Sequence, residues 1–341
     1  MVSYRVEEHL VEFLKKLVDT PSPSGNEEGI LSLISDYLDN NGVDYKIKGR
    51  EVKNLIIEGN TDFWVVTHLD TFPSNHPFKY DGVYAYGTGV CDAKASVAAI
   101  MAALEEIDET NISVALLSDE EEGGTGSQEF SRQYKGRAVV MEPTDMKVAI
   151  SHYGCIEFVV RVKGKAAHGS YPEYGLNAID RAFEMVERLR NLQLPGKMVL
   201  MEIKGGDNRH VIPDECYLRV DFTIPSSLKV EKVMRVAESI LKEYGEYEAK
   251  EIYDGFEEKP FQPFEKALQL SGVKVEYGEM HSWTDAINLK RAGWKAVVWG
   301  PGTLHSCHTP LERVKVEDVA KAARVLVKLN ELLGEESLPE G

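Results

Sequence analysis

The segment FWVVTHLD at residues 63–70 is an apolar run that ends in a histidine and an aspartate. Such a run is typical of a strand buried on both faces, as in a parallel sheet covered by helices. In an extended chain, residues two apart point the same way, so His68 and Asp70 are expected to face one site. Taken alone, this pair is explained better by a structural histidine than by a metal ligand.

The segments around this run alternate between short apolar strands and helices. Further strands are predicted at 54–57, 113–117, 137–141 and 296–299, and helices at 5–18, 93–104, 261–271 and 316–333. This alternation predicts an α/β fold with a mainly parallel sheet covered by helices. In such sheets the functional site lies at the carboxyl ends of the strands. His68, the acidic run after residue 117 and Glu142 all fall at such ends.

A different pattern begins near Tyr153 and continues for about 100 residues. Its strands and helices are predicted at 156–163, 177–190, 198–204, 217–224 and 228–244. Two β–α–β pieces of this kind predict a small α+β domain. We therefore expect one domain formed by residues 1–152 and 256–341, with residues 153–255 inserted as a second domain.

The composition excludes several classes of protein. The chain has 39 Lys and Arg against 56 Asp and Glu, and its net charge of −17 disfavours binding to nucleic acid or to an anionic membrane. No apolar run approaches the roughly 20 residues of a membrane helix, and the N-terminus has no signal pattern. The four cysteines are scattered, so we expect a reducing compartment, the cytoplasm. Abundant Glu and Lys with little Gln are typical of thermophiles.

The run SDEEEGG at 118–124 places four carboxylates directly after an apolar strand. Adjacent carboxylates repel one another unless a cation neutralises them. A solvated surface turn explains most acidic runs, but here Glu142 stands in the same relation to the next predicted strand. The sequence therefore favours a metal site over a surface turn.

Two further segments carry possible ligands. The run GTGVCDAK at 87–94 puts Asp92 in a Gly-rich turn before a helix, where it could cap the helix or bridge two cations with its two oxygens. This turn lacks the spacing of a phosphate loop, so nucleotide binding is excluded. The run GPGTLHSCHTP at 300–310 follows a predicted strand, and spacing alone does not choose between His305 and His308.

These motifs, in this order, resemble the two-zinc amidohydrolases and exopeptidases that include acetylornithine deacetylase, succinyl-diaminopimelate desuccinylase, aminoacylase and glutamate carboxypeptidase. The resemblance covers nearly the whole chain and includes AHGS at 167–170, TDA at 284–286 and HTPLE at 308–312. The last motif selects His308 over His305 as the ligand. The resemblance implies a zinc-peptidase fold for the catalytic domain, and an inserted α+β domain that serves as dimerisation domain and lid.

The same resemblance implies a metal centre with two divalent ions per subunit. Zn²⁺ suits a set of carboxylates and imidazoles best, and Co²⁺ is a plausible substitute. Asp92 would bridge the two ions. His68 and Glu142 would complete one site, and Glu121 and His308 would complete the other.

Three more residues would take part in catalysis. Asp70 would orient His68, and Glu120 would be the general base that takes a proton from water and delivers it to the leaving amine. His168, in the inserted domain, would reach the active site of the partner subunit and stabilise the oxyanion. A homodimer would then be part of the catalytic machinery.

The chain departs from the family pattern in substrate recognition. The family usually has Asn before Val-Ile-Pro, where this chain has His210, with Asn208 two residues earlier. The family also has Arg in an Asp-x-Arg strand that grips a substrate carboxylate, and here residues 221–223 read Asp-Phe-Thr. We expect Asn208, His210, Thr284 and Asp285 to contact the substrate.

The short chain, the altered carboxylate grip and the composition resemble the branch that releases lysine or ornithine from the amino-group carrier protein LysW. There the scissile amide joins the γ-carboxyl of the carrier's C-terminal glutamate to the α-amine of the substrate. Because such carriers are acidic, a local basic surface is expected in the inserted domain. The candidates are Arg161, Lys163, Lys165, Arg181, Arg188 and Arg209. The alternatives are an N-acetyl-lysine or N-acetyl-ornithine deacetylase, a related aminoacylase or exopeptidase, and an inactive homologue that binds a peptide.

Overall fold

The computed structural model describes residues 4–207 and 209–337, and the chain divides into two compact units. Unit 1 is formed by Met1–Ile150, Glu258–Met280 and Thr284–Gly341. Unit 2 is formed by Ser151–Glu257 and His281–Trp283. The sequence predicts an inserted domain at 153–255, and the short segment 281–283 of unit 2 is an addition that no sequence pattern indicates.

Helices and strands alternate along the chain. The α-helices are α1 Tyr4–Val18, α2 Glu28–Asn40, α3 Lys94–Glu105, α4 Thr125–Gln133, α5 Ala178–Arg190, α6 Val230–Leu241, α7 Gln262–Leu270, α8 Ala286–Arg291 and α9 Val316–Ser337. The strands are β1 Lys46–Lys48, β2 Asn54–Ile57, β3 Phe63–His68, β4 Lys79–Tyr80, β5 Tyr84–Tyr86, β6 Ser113–Leu117, β7 Arg137–Val140, β8 Val148–His152, β9 Gly154–Lys163, β10 Lys197–Gly205, β11 Glu215–Ile224, β12 Gly245–Tyr253, β13 Phe256–Glu257, β14 Tyr277–Met280, β15 Lys295–Val298 and β16 Arg313–Lys315. The predicted α/β class is confirmed. None of the described helices is both long and apolar enough to cross a membrane.

The central sheet of unit 1 has the strand order β1-β2-β6-β3-β7-β15-β8. The four adjacent strands β6, β3, β7 and β15 run parallel to one another, whereas β2 and β8 on either side of them are antiparallel. Every residue of β3 and β6 is buried, because both strands are apolar runs covered on both faces. The carboxyl ends of these four strands therefore lie along one edge of the sheet.

Helix α3 packs in the interior of unit 1 and thereby helps to position the turn that precedes it. It is rich in alanine, and its small side chains let it lie against α1, α9 and β3. Most of its residues are buried, including Lys94 at its first position. Since α3 begins two residues after Asp92, the packing of the helix also restricts the turn that carries this aspartate.

Unit 2 contains an antiparallel sheet with the order β10-β11-β9-β12 and the helices α5 and α6. Buried and exposed residues alternate along β11, as expected for a sheet with helices on one face. Strand β10 is an edge strand that pairs with β11 alone within this sheet. This is the α+β arrangement that the sequence predicts for the inserted segment.

Candidate active site

Three predicted ligands meet at the carboxyl edge of the central sheet. His68 is the last residue of β3, Glu142 follows β7, and Asp92 lies in the turn before α3. The Nε2 atom of His68 lies 3.1 Å from Asp92 Oδ1 and 3.6 Å from Glu142 Oε2. All three residues are buried. We call these three residues the buried group, and their donor atoms are close enough together to hold one metal ion.

A second set of donors shares Asp92 with the buried group. His308 Nε2 lies 3.0 Å from Glu121 Oε1 and 3.6 Å from Asp92 Oδ2. The three residues Asp92, Glu121 and His308 also offer ligand atoms at metal-binding separation, and we call them the exposed group. Asp92 thus directs Oδ1 to His68 and Oδ2 to His308, which is the arrangement of a carboxylate between two cations.

The donor chemistry of both groups fits divalent metal ions. Imidazole nitrogens and carboxylate oxygens are usual protein ligands of Zn²⁺ and of other divalent first-row transition-metal ions. In the described part of the chain, Glu142 Oε1 is buried without any hydrogen-bond partner. Burying a carboxylate oxygen without a partner is costly unless a cation compensates it. That unsatisfied oxygen therefore indicates a cation at the buried group.

Asp70 lies beside His68, whose imidazole it is predicted to orient. The Nδ1 atom of His68 lies 2.9 Å from the backbone carbonyl of Asp70, whereas the Asp70 carboxylate is 3.6 Å away. That carboxylate accepts the backbone N–H groups of Glu120 and Glu121, each at 3.0 Å, and the hydroxyl of Ser24 at 2.7 Å. Asp70 therefore also holds the acidic turn that follows β6, a link that the sequence did not indicate.

The acidic residues around the two groups have strongly perturbed acidities. Burial raises the pKa of Glu120 well above its usual value, and the charges of Glu142 and Asp285 raise it further. Burial is also the main reason that the pKa of Glu142 rises to about 8 and that of Asp285 to about 6. A carboxylate whose pKa lies nearer to neutrality is better suited to accept and return a proton. The role of Glu120 as general base stays a prediction.

Geometry distinguishes the alternatives that spacing left open: whether Asp92 caps a helix or binds cations, and which of His305 and His308 is the ligand. Helix α3 begins at Lys94 with Ala93 at its N-cap position, so Asp92 does not cap it. His305 is exposed and its Nδ1 bonds to the hydroxyl of Thr303 at 2.7 Å. His308, not His305, reaches the exposed group, and its φ of 59° places it in the left-handed region that few non-glycine residues adopt.

The predicted substrate and oxyanion residues lie in different parts of the fold. Thr284 and Asp285 are buried in unit 1, just before α8. His168 and His210 are exposed in unit 2, and the centroids of their rings are 5.2 Å apart. Asn208 lies outside the described residues. The structure therefore brings His168 and His210 together, although they are far apart in the sequence.

Comparison with known proteins identifies the family. The sequence model of peptidase family M20/M25/M40 matches residues 64–331. This chain belongs to that family. It is 28% identical over 333 residues to an acetylornithine deacetylase of Myxococcus xanthus, a match that covers 86% of this chain and 85% of that protein.

Two solved structures share the fold of this chain. A tripeptidase of Staphylococcus aureus matches with a TM-score of 0.83 and 20% identity, over 96% of this chain and 99% of the tripeptidase. A dinuclear metal-binding peptidase of the M20 family from Bacillus subtilis matches with a TM-score of 0.69 and 16% identity, over 98% and 99% of the two chains. The resemblance drawn from the sequence motifs is thus confirmed at the level of the family. As an M20 member, the chain is a hydrolase of amide bonds.

Proposed function

We propose that this M20 hydrolase releases lysine or ornithine from the C-terminal glutamate of the carrier protein LysW, in the synthesis of lysine and arginine. The proposal rests chiefly on β11, where Thr223 occupies the place of the arginine that grips a small substrate's carboxylate in the family. A carrier-linked substrate can obtain its binding energy from a protein tail, so it depends less on that one guanidinium. We place the reaction in the cytoplasm, where the four free cysteines would stay reduced.

The other side chains on this face of β11 are already engaged. Arg219 forms an ion pair with Glu157 at 2.6 Å, and the Asp221 carboxylate accepts the thiol of Cys155 at 2.9 Å. In a strand, residues 219, 221 and 223 face the same side. Arg219 is therefore not free to replace the arginine that is absent at position 223.

The proposed reaction assigns a role to each residue of the centre. Two divalent ions, bound by the buried and exposed groups, would lower the pKa of water and polarise the amide carbonyl. Glu120 accepts a proton from the attacking water and donates it to the departing α-amine. Asp70 holds the backbone of Glu120 in place through its carboxylate. His168 of the partner subunit stabilises the negative charge that develops on the carbonyl oxygen.

We further propose that the enzyme is a homodimer joined through unit 2. Strand β10 is an edge of the unit 2 sheet, and its side chains Val199, Met201 and Ile203 are exposed. An exposed edge strand with apolar side chains is a typical site of pairing with another chain. Substitution of Met201 by Lys is expected to yield monomers in light scattering, and a wild-type protein that is monomeric would contradict the proposal.

A second candidate function is deacetylation of N-acetyl-lysine or N-acetyl-ornithine. The basic side chains expected to attract an acidic carrier are largely paired within unit 2. The pairs are Arg161 with Glu215, Lys163 with Glu215 and Glu246, Arg188 with Glu243, and Arg209 with Asp207. Since these carboxylates compensate the positive charge, the expected basic surface is weak. That observation, and the similarity to an acetylornithine deacetylase, favour a small substrate.

The experiment that separates the two candidates compares amine release from four substrates. These are carrier-linked lysine, carrier-linked ornithine, N-acetyl-lysine and N-acetyl-ornithine, each assayed with added Zn²⁺ or Co²⁺ and again with a chelator. Metal-dependent turnover of the carrier-linked pair alone would support the proposed function. Faster turnover of the free N-acetyl compounds would contradict the proposed function and identify the enzyme as a deacetylase. The variant Glu120→Gln serves as the inactive control.

A further inference from the structure

A buried carboxylate that belongs to neither cation group is bonded to the turn that carries Asp92. Glu312 Oε1 accepts the backbone N–H groups of Cys91 and Asp92 at 3.0 and 3.2 Å, and its Oε2 accepts that of Gly89 at 3.2 Å. We propose that Glu312 is a positioning residue that fixes Asp92 where it can share a metal ion with His308. The inference rests on the proposed metal centre.

Glu312 connects two segments that are remote in the sequence. It lies four residues after His308 and directly before β16, in the same loop. A single side chain therefore joins the loop of His308 to the turn before α3. The same two segments also touch elsewhere, because Cys91 Sγ lies 3.8 Å from the Thr303 carbonyl and a Cβ at Gly302 would come within 2.3 Å of that sulfur. The loop and the turn are packed directly against each other.

A carboxylate is the side chain that this position requires. The N–H groups of Gly89, Cys91 and Asp92 are buried and bond to no other acceptor in the described part of the chain. A buried N–H that loses its acceptor destabilises the fold. Two carboxylate oxygens can satisfy all three donors, whereas a glutamine would place its own NH₂ against one of them.

The effect of Glu312 is expected to differ between the two cation groups. In the buried group, His68 and Glu142 are held by the ends of β3 and β7 and do not depend on Glu312. In the exposed group, Asp92 and His308 come from the two segments that Glu312 connects. Because Asp92 belongs to both groups, loss of Glu312 should weaken metal binding at both. The loss should be larger at the exposed group, where Glu312 also connects the loop of His308 to Asp92.

The test is a titration of metal-free protein with Co²⁺, followed by visible absorption and by calorimetry. It compares the wild type with Glu312→Gln and Glu312→Ala, and with Glu317→Gln as the matched control. Glu317 carries the same charge nearby, but it pairs with Lys315 and Lys321 on the surface. We expect two binding steps for the wild type and the control. In Glu312→Gln the step of the exposed group should weaken about 10–100-fold and the other step less, with larger losses in Glu312→Ala.

The possible results separate this inference from the proposed function. Two unchanged steps in both Glu312 variants, or an equal loss in both steps, would overturn the positioning role while the metal centre stands. Failure of the wild type to bind two ions would overturn the metal centre itself, and with it this inference. If Glu312→Ala does not fold by circular dichroism, the milder Glu312→Gln decides the question, since it keeps the size of the side chain.

Discussion

The two cation groups contain the same kinds of donor but are built on different parts of the fold. In the buried group the His68 side chain is 0% exposed and comes from the end of a central strand. In the exposed group the His308 side chain is 42% exposed and comes from a loop. Donors held by a packed sheet lose less conformational freedom when they bind an ion. The buried group is therefore expected to bind its ion more tightly than the exposed group.

The largest effect is expected from the residue that the groups share. Because Asp92 directs one oxygen to each group, Asp92→Asn should lose both ions. Since the metal ions supply several kcal/mol of transition-state stabilisation, turnover should fall about 10³-fold or more. Elemental analysis of the purified variant gives the metal content, and two retained ions would show that Asp92 does not bridge the groups.

The next effect separates proton transfer from metal binding. Glu120→Gln removes the proposed base but no ligand of either group, so turnover should fall about 10²–10⁴-fold while both ions remain bound. The exposed neighbour Glu122 provides the control, and Glu122→Gln should behave as the wild type. Loss of metal in Glu120→Gln would mean that this residue is a ligand.

Two histidine variants compare the groups directly. His68→Ala removes one partner from a buried set of charges, which costs about 3–5 kcal/mol of folding stability. His308→Ala removes an exposed partner, so it should cost no more than about 1 kcal/mol and lose a single ion. Urea unfolding and metal analysis measure both effects. Equal losses of stability would contradict the difference in burial.

Acidic pH should weaken the buried group through Glu142. Burial raises the pKa of Glu142 to about 8, and a cation binds the ionised form. Below about pH 8, protons therefore compete with the cation for the Glu142 carboxylate. If metal binding displaces one proton, the affinity for the ion should fall about tenfold for each unit by which the pH is lowered. His308→Ala isolates the buried group for this titration between pH 6 and 8. An affinity that does not change with pH would show that Glu142 does not ligate the ion.

The sequence alone predicted which strand ends carry the candidate metal ligands. Apolar runs at 63–67 and 113–117 predict buried parallel strands, and polar residues directly after such strands must share one edge of the sheet. His68, Glu121 and Glu142 could be placed there because strand ends are readable from local patterns. The order of the motifs then indicated the M20 family. These inferences succeed because they depend on residues close together in the chain.

Contacts between distant segments could be decided only by the tertiary structure. Spacing left His305 and His308 equivalent, and although the family motif selected His308, only the fold shows that His308 lies beside Glu121. No pattern indicated that the Asp70 carboxylate holds the acidic turn, or that Glu312 accepts three N–H groups more than 200 residues away in the chain. Local sequence determines which residues form strands and where strands end, because periodic burial is a short-range property. Which loops meet at the carboxyl edge, and which oxygen faces which donor, depends on the packing of the whole unit.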